Sequence, residues 1–550
     1  MCRWLSKPEK LKNYRREEPL PYPNVASIPK FFYKTHLLAW GGLLCDRSYG
    51  KEVFLGRFLF DLIIYHEQIM KSKTTFESFS HNVILFLVFL GTFTNASAQH
   101  QEVPEKPHMW KGKSTSFYDT GAIAKAFQYG ILQGHFRYFF MNTINKGELS
   151  DYFANSGGGG IRYETAPYRG LQFAVSGFYI FNLYSSPLGV LDTLAFNGNR
   201  YELGLFDIED PENKKDLDRL EEFYLKYNYK ESHISLGRQL INTPFINLQD
   251  GRMRPTGVEG IWFNILDIPK TRIEGGYLWA VSPRSTVRWY YIGESLGLYG
   301  AGVNSDGTRS GYEGHTNSHY VTSLGIHREF GVHRFHIWNF HVDNLFNSTM
   351  FQGEMNFPVK HGKLFAGFQA IKQYGIGNGG NDTVKLRYID PNSTSSVYSG
   401  RLGWLDDKNQ ITLNYTRITK EGRYLMPREW GRDPFYTFMP RERNEGLGDV
   451  HAIVGKYTRK LPVNHSQATL MLGHFKLPEI SNTALNKYGF PSYLQMNVDL
   501  RHQFLGTWTG LEMQLMYVHK WGLNNDYSNP IYQFNKVDVS NLSLVLNYHF

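Results

Sequence analysis

The polar segment from residue 250 to residue 255 carries the side chains of this sequence best suited to binding a charged ligand. It reads DGRMRP, so Asp250, Arg252, Arg254 and Pro255 fall within six positions. An arginine guanidinium can donate two parallel hydrogen bonds to a carboxylate, which suits arginine for binding one. The segment follows a strand-like stretch that is interrupted at Pro244. We therefore predict a loop that presents two cations and one opposing carboxylate.

Six further basic residues alternate with apolar side chains and should share one face of their segments. A water-filled channel lined by one sign of charge concentrates the opposite ion, so a row of such residues would favour anions. The alternative is an ordinary polar lumen in which these charges pair with acids. The candidates for the lumen lining are Arg137, Lys226, Lys230, Arg387, Arg501 and Lys520.

In the segments that must position these residues, apolar and polar side chains alternate with a period of two residues. The last ten residues, NLSLVLNYHF, place Leu542, Leu544, Leu546, Tyr548 and Phe550 on one face, with mostly polar side chains on the other. This alternation is typical of β-strands that have two different faces. Half-buried strands of a soluble β-sandwich alternate in the same way and remain an alternative. Similar rows occur at 136–140, 171–179, 223–230, 384–388, 494–501 and 511–517.

Composition narrows the fold class. Only 41% of the 550 residues are hydrophobic, and no run of about 20 apolar residues exists to form a membrane-spanning helix. Aromatic residues make up 16%, far more than in a disordered chain. A closed barrel satisfies every backbone group in lipid without long apolar runs. We therefore predict an all-β protein, a transmembrane antiparallel β-barrel with an inward-folded constriction loop.

The length of the barrel segment predicts its size. At roughly 25 residues for each strand with its share of loop, residues 99–550 give about 18 strands. A barrel of 16 to 18 strands leaves an aqueous channel, whereas an eight-stranded barrel is filled by side chains. The length therefore favours a pore.

An export signal is expected inside the chain. The segment from Met70 has lysines near its start, an apolar run over 83–90, and small residues ending at Ala98 before Gln99, which are the parts of a secretory signal in order. The alternative is a buried strand or helix of eight apolar residues. We expect translation to start at Met70 and cleavage to follow Ala98. The predicted domains are an extension at 1–69, a signal at 70–98, a periplasmic segment at 99–130 and a barrel at 131–550.

Several functional classes are disfavoured by the residues themselves. Both cysteines, Cys2 and Cys45, precede Gln99, so thiol chemistry and disulfides are not expected in the barrel. From Gln99 onward 46 basic residues are interspersed with 42 acidic ones, a net charge of only +4, so no nucleic-acid partner is expected. The run Gly157–Gly160 lacks the Lys-Ser/Thr of a phosphate loop and predicts a flexible turn. We expect no metal and no cofactor.

The loop segment resembles the OprD family of outer-membrane porins. Asp250, Arg252, Pro255 and Gly260 match the spacing of that family's constriction-loop motif. The resemblance implies an 18-stranded barrel that passes small molecules, in well-known members molecules bearing a carboxylate. A terminal aromatic such as Phe550 is similar to the signal read by the barrel assembly machinery. Segments that look particularly like the porins of Bacteroidetes are 136–143, 162–170, 282–286 and 428–450.

Partners and competing functions follow from this reading. Small solutes, outer-membrane lipid and lipopolysaccharide are the expected partners, in a bacterial outer membrane, as a monomer or a homotrimer. Within 428–450, Arg428, Arg432, Arg441 and Arg443 fit either an outer loop with internal ion pairs or a role facing the pore. A barrel hydrolase is disfavoured because no H-E-x-x-H and no other metal-ligand spacing occurs. An energy-coupled receptor needs more strands, and a non-conducting adhesin is the remaining alternative.

Overall fold

The computed structural model describes part of the chain. The predicted extension at 1–69, the predicted signal at 70–98 with its cleavage site at Ala98 and Gln99, and Asp250 lie outside the described residues. The described ranges are 110–111, 119–248, 251–461, 465–523, 527 and 529–550.

Strands make up almost all of the regular structure in these ranges. One short helix, α1, spans Ile123–Gln128, and single 3-10 turns lie at Leu203–Leu205, Gly293–Ser295, Val384–Leu386, Gly506–Trp508 and Pro530–Tyr532. The strands are β1 (Ile131–Asn145), β2 (Tyr152–Glu164), β3 (Leu171–Ser185), β4 (Leu217–Tyr229), β5 (Ser232–Gln239), β6 (Gly257–Ile265), β7 (Thr271–Ser282), β8 (Tyr290–Tyr291), β9 (Val321–Phe330), β10 (His333–Val342), β11 (Phe346–Val359), β12 (Gly362–Gly375), β13 (Thr394–Leu405), β14 (Asn409–Ile418), β15 (Val450–Lys460), β16 (Ser466–Lys476), β17 (Tyr493–Gln503), β18 (Leu511–Gly522) and β19 (Val539–His549).

The strands close into an antiparallel barrel. Each long strand pairs with its neighbours in sequence, and β19 pairs with β1 from His135 opposite His549 to Asn145 opposite Val539. The two-residue β8 pairs only with the end of β7, which continues directly to β9. The closed barrel therefore has 18 strands within the described residues, and the predicted fold class and strand number are confirmed.

No helix in the described part of the chain is long and apolar enough to cross a membrane.

The two ends of the barrel differ in their connections. At the end that holds the start of β1 and the end of β19, the turns are short, as in the two-residue turn 230–231 between β4 and β5. At the other end the connections include long loops, the longest at 186–216, 283–320 and 419–449. We call these the short-turn end and the long-loop end.

The alternation read from the sequence separates the two faces of the wall. On β17, Gln495, Asn497 and Asp499 are buried inside the barrel, whereas Leu494 is 40% exposed on its outside. Apolar side chains on the outside and polar ones on the inside are the pattern of a barrel surrounded by lipid. The rows predicted at 136–140, 171–179 and 223–229 follow the same rule.

Two predicted pore-lining positions are corrected by the fold. The prediction of a strand over 384–388 is wrong, because these residues form a 3-10 turn inside the loop between β12 and β13. Arg387 there donates to the carbonyl oxygens of Asn381 and Asp382, each at 2.9 Å. Lys230 follows the last residue of β4 and has a left-handed φ of 52° in an exposed turn. A five-residue alternation is too short to separate a strand from a turn.

The glycine run is also not a turn. Gly157–Gly160 lies in the middle of β2, between β1 and β3. A Cβ on Gly158 would lie 2.6 Å from the ring of Phe178 inside the barrel, and one on Gly159 would lie 2.6 Å from the ring of Phe136 outside it. The glycines are therefore needed because aromatic rings lie against both faces of the strand.

The last residue completes the closure of the barrel. The backbone N–H of Phe550 donates to the oxygen of Gly134 at 3.1 Å, and the N–H of Gly134 donates back at 2.9 Å. The Phe550 ring stacks on Phe136 of β1 on the outer face, with centroids 5.7 Å apart. The role of Phe550 as an assembly signal stays a prediction.

Candidate functional site

A loop folds inward and crosses the barrel lumen between β5 and β6. On one side Phe245 stacks on Phe340 of β10, with ring centroids 4.9 Å apart. Farther along, Met253 packs in a buried cluster with Phe139 and Phe178 on β1 and β3. The described parts of this segment, 240–248 and 251–256, therefore contact the β10 wall and the β1–β3 wall respectively, and we call the connection between β5 and β6 the constriction loop.

Arg254 fastens the constriction loop to the barrel wall. Its Nε donates to Oε1 of Glu221 on β4 at 2.6 Å, and its Nη2 pairs with Oε2 of the same carboxylate. Its Nη1 lies 3.1 Å from Nδ1 of His135, and its guanidinium lies 4.2 Å from the ring centroid of Phe178. With only 3% of its surface exposed, Arg254 is an anchor rather than a free cation.

Arg219 on β4 reinforces this anchor. Its Nη2 lies 2.8 Å from Oε1 of Glu221 and donates to the carbonyl oxygen of Pro255 at 2.6 Å. One buried carboxylate therefore holds one arginine of the loop and one of the wall, and the wall arginine also binds the loop backbone. This fixes the position of Pro255.

Arg252 points the other way, into a group of arginines from four different loops. Its side chain lies against Gly204, where a Cβ would lie 2.4 Å from Nε of Arg252. Burial lowers the pKa values of Arg200, Arg252, Arg284 and Arg441, and the charges of neighbouring arginines add to this effect. We call this group the arginine cluster, and its members are Arg200, Arg252, Arg284, Arg441 and Arg443.

The electrostatics of the cluster follow from burial and mutual repulsion. Burial lowers the pKa of Arg252 to about 10, and the nearby charge of Arg441 adds to the effect. Burial lowers the pKa of Arg284 to about 9, with the charges of Arg443 and Arg252 acting in the same direction. Both values lie above neutral pH, so Arg252 and Arg284 stay charged at pH 7.

The hydrogen-bond partners of the cluster are neutral groups. Arg441 donates to Asn541 Oδ1 and Ser543 Oγ, each at 2.9 Å, and Arg252 donates to the oxygen of Gly251 at 2.7 Å. Among the described residues, no carboxylate lies within ion-pair distance of any member. Within the same residues, no acceptor is found for Arg252 Nε, Arg284 Nε or Arg443 Nη2.

Buried donors without acceptors are costly, and each one needs an explanation. Here they belong to cations that converge from separate loops inside a channel-sized barrel. A small anion placed among them would accept these N–H groups and offset the repulsion. The arrangement is therefore suited to binding an anion during its passage.

A cavity of about 770 Å³ lies between the constriction loop and the short-turn end. Its wall is formed by residues of β4 to β7, β9 to β12 and β15, and its far boundary by the loop residues 240–244 and 432–438. We call it the vestibule.

Several charges of the vestibule wall form ion pairs, unlike those of the cluster. Lys226 lies 2.6 Å from Glu164, and Arg334 lies 2.8 Å from Glu354. Glu274 binds both Arg272 and Nε2 of His327, the latter at 2.9 Å. The vestibule is therefore polar without a strong excess of one charge.

The remaining predicted lining residues occupy different surroundings. Lys226 faces the vestibule, and Arg501 pairs with Asp499 at 3.0 Å on the inner face of β17. Lys520 is buried on β18 and donates to the backbone oxygen of Arg441 in the cluster. Arg137 is 3% exposed, with its guanidinium 5.5 Å from the ring centroid of Phe139. Lys520 therefore contacts the cluster directly.

Sequence reasoning identified part of the cluster. The sequence predicts Arg252 on the loop. For Arg441 and Arg443 it leaves open an outer loop with internal ion pairs or a role facing the pore. Arg284 lies in the segment 282–286, which resembles porins of the family, but the sequence predicts no role for this arginine. Arg200 carries no sequence signal, because it lies in a long loop whose path into the lumen is set by tertiary contacts.

Metal binding has no support from this arrangement. Within the described ranges, no group of three or more His, Cys, Asp or Glu side chains could hold a metal ion.

Comparisons with solved structures identify similar barrels at low sequence identity. Pseudomonas aeruginosa OccK9 (OpdG) is 15% identical with a TM-score of 0.61, over 77% of this chain and 99% of that one. P. aeruginosa OpdK with vanillate is 13% identical with a TM-score of 0.60, over the same shares. Acinetobacter baumannii OccAB3 is 14% identical with a TM-score of 0.61, over 76% and 99%. These neighbours are porins of the OprD/Occ family, and the likeness shows a shared fold. No protein-family model and no curated protein matches the sequence.

Proposed function

We propose that this protein is an outer-membrane porin, a water-filled channel for passive diffusion of small anionic solutes that bear a carboxylate. The observation that carries the proposal is the arginine cluster. Its five guanidiniums converge inside the barrel beside an inward-folded loop, without a carboxylate in ion-pair distance among the described residues.

The cluster would act on a solute in two ways. Its positive charge, which no ion pair among the described residues neutralises, raises the local concentration of anions in the lumen. Its N–H groups without acceptors can replace the water that a carboxylate loses on entering the constriction. Since the donors come from several loops, a carboxylate could exchange partners stepwise rather than being held at one site.

The structural neighbours support this direction. OpdK was crystallised with vanillate, which is a carboxylate. The segments at 136–143, 162–170, 282–286 and 428–450 also suggest the Bacteroidetes branch of these porins. On this proposal the short-turn end faces the periplasm and the long loops face outward, as in other bacterial barrels.

The route to the membrane belongs to the same proposal. The chain would start at Met70, lose its signal after Ala98 and be inserted by the barrel assembly machinery through Phe550. It would lie among outer-membrane lipid and lipopolysaccharide as a monomer or homotrimer. N-terminal sequencing of the protein from outer membranes should read from Gln99, and a mature chain that retains Cys45 would contradict this part.

The decisive experiment is planar-bilayer recording of the purified barrel under a potassium chloride gradient. We expect stable conductance steps and a reversal potential that shows anion preference. The double variant Arg284→Gln/Arg441→Gln should lose most of this preference. Lys230→Gln/Lys408→Gln, an equal loss of two charges in exposed turns, should leave it unchanged. A folded barrel without conductance, or one that prefers cations, would overturn the proposal.

A further inference from the structure

We infer that Trp110 and Lys111, which precede the first strand by about twenty residues, form part of the channel's constriction and limit its width on the side of β1 and β18. The inference rests on the proposed channel function and adds residues outside the barrel sequence to the structure that determines which solutes pass.

Trp110 contacts the residue that anchors the constriction loop. The Arg254 guanidinium lies 5.1 Å from the Trp110 ring centroid and 4.2 Å from that of Phe178, so it contacts two aromatic rings. Trp110 also meets His135 of β1 edge-on, with centroids 6.2 Å apart. His135 and Arg254 are both buried inside the barrel, so the indole lies in the lumen.

Lys111 contacts β18, whereas Trp110 contacts β1. Its ammonium forms an ion pair with Glu512 near the start of β18. Glu512 has the same parity as Met516, Val518 and Lys520, which are buried on the inner face of this strand. Two consecutive residues therefore contact β1 and β18, on either side of β19.

Asp119 and Thr120 lie at the rim of the barrel. The N–H of Thr120 donates to the oxygen of Pro167 at 3.0 Å, and Asp119 accepts from the N–H of Arg169 at 2.8 Å. Both partners belong to the turn between β2 and β3 at the short-turn end. Trp110, which contacts His135 and Arg254 inside the barrel, thus lies farther from the rim than residues 119–120.

The location of the vestibule agrees with this placement. The wall of that cavity comes from β4 to β7, β9 to β12 and β15, whereas Trp110 and Lys111 contact β1 and β18. The cavity and the segment occupy different sides of the same lumen. A solute that passes the arginine cluster would therefore leave through the vestibule side, because the other side holds an indole and a lysine.

Single-channel recording tests the effect on width. We expect Trp110→Ala and Lys111→Ala to raise conductance and to admit larger anions in a series of carboxylates of increasing size. Tyr129→Ala is the matched control. Tyr129 is also an aromatic residue that precedes β1, but its side chain is 56% exposed. Unchanged conductance in folded Trp110→Ala would overturn the inference and leave the proposed function intact. A wild-type barrel without conductance would overturn both.

Cross-linking tests the placement without depending on conductance. In the full chain with Cys2 and Cys45 changed to serine, Lys111→Cys and Glu512→Cys should be joined by a short bismaleimide in outer membranes, as detected by mass spectrometry. Lys111→Cys with Val359→Cys, on the outer face of β11, should not be joined. A missing first cross-link in a heat-modifiable, folded barrel would overturn the inference even if Trp110→Ala failed to fold.

Discussion

Glu221 on β4 binds Arg254 of the constriction loop entirely inside the barrel. Glu221 is 0% and Arg254 is 3% exposed, and the carboxylate receives hydrogen bonds from both Nε and Nη2. A buried charge that loses its partner is destabilising because the remaining charge has no solvent to compensate it. The pair therefore ties the position of the loop to the stability of the wall.

Replacing Glu221 with glutamine should release the loop. Removing one member of a buried pair costs about 3–5 kcal/mol of folding stability. Glu221→Gln should therefore lower the temperature above which the barrel migrates as the unfolded form in gel electrophoresis. The freed loop should also make the open channel noisier. Glu259→Gln is the control, because its pair with Arg238 is partly exposed and worth about 1 kcal/mol or less. Equal effects of the two variants would contradict the anchoring role.

Gly204→Ala should displace Arg252 from the cluster without removing a charge. The added Cβ would lie 2.4 Å from Arg252 Nε, which forces the flexible guanidinium to move. We expect weaker anion preference in the reversal potential with little loss of stability. Gly198→Ala is the matched control in the same loop, because its Cβ would meet only Leu191 Cδ2 at an ordinary 3.6 Å. An unchanged reversal potential would mean that Arg252 does not contribute to selectivity.

The sequence predicted the wall of the barrel better than its interior. Most spanning strands alternate over ten or more residues, so the faces of β17 and β19 can be predicted directly from residues such as Leu494 and Leu544. The constriction loop was found because four residues match a known spacing. Both patterns involve residues that lie close together in the sequence, so they can be recognised without a structure.

The positions of the cluster residues could not be predicted in the same way. Arg200 and Arg441 are 241 positions apart and meet only because their loops fold into the lumen. Arg254 looked equivalent to Arg252, yet a buried glutamate on β4 makes it an anchor. The glycine run at 157–160 was misread because its cause, the rings of Phe136 and Phe178, lies on neighbouring strands. Tertiary contacts, which no local pattern contains, determine these roles.

Anion preference should fall as the pH rises. Burial, with the charge of Asp433, raises the pKa of Glu442 to about 8, so this carboxyl is mostly neutral below that pH and becomes negative above it. Burial lowers the pKa of Arg284 to about 9, so positive charge is lost over a similar range. Both changes make the lumen less positive between about pH 7 and 10.

Reversal potentials recorded from pH 6 to pH 10 should show this decline. Glu442→Gln should retain more anion preference than the wild type at pH 9, because it cannot ionise. Glu148→Gln, an exposed glutamate between β1 and β2, should behave as the wild type. Preference that is constant over this range, or that rises with pH, would contradict the assignment.

The packing around the glycine run predicts a stability effect at Gly160. A Cβ there would lie 2.4 Å from the backbone oxygen of Gly177 on β3, which cannot move aside as a side-chain end can. Gly160→Ala should therefore cost about 1–3 kcal/mol, as overpacking in a tight core does. Gly400→Ala on β13 is the control, because no atom lies within 4 Å of its Cβ position. Since alanine loses less conformational freedom than glycine on folding, Gly400→Ala should be neutral or more stable by about 0.5–1 kcal/mol. Urea unfolding in detergent micelles or lipid vesicles measures both, and a Gly160→Ala barrel as stable as Gly400→Ala would show that β2 and β3 can separate to accept a methyl group.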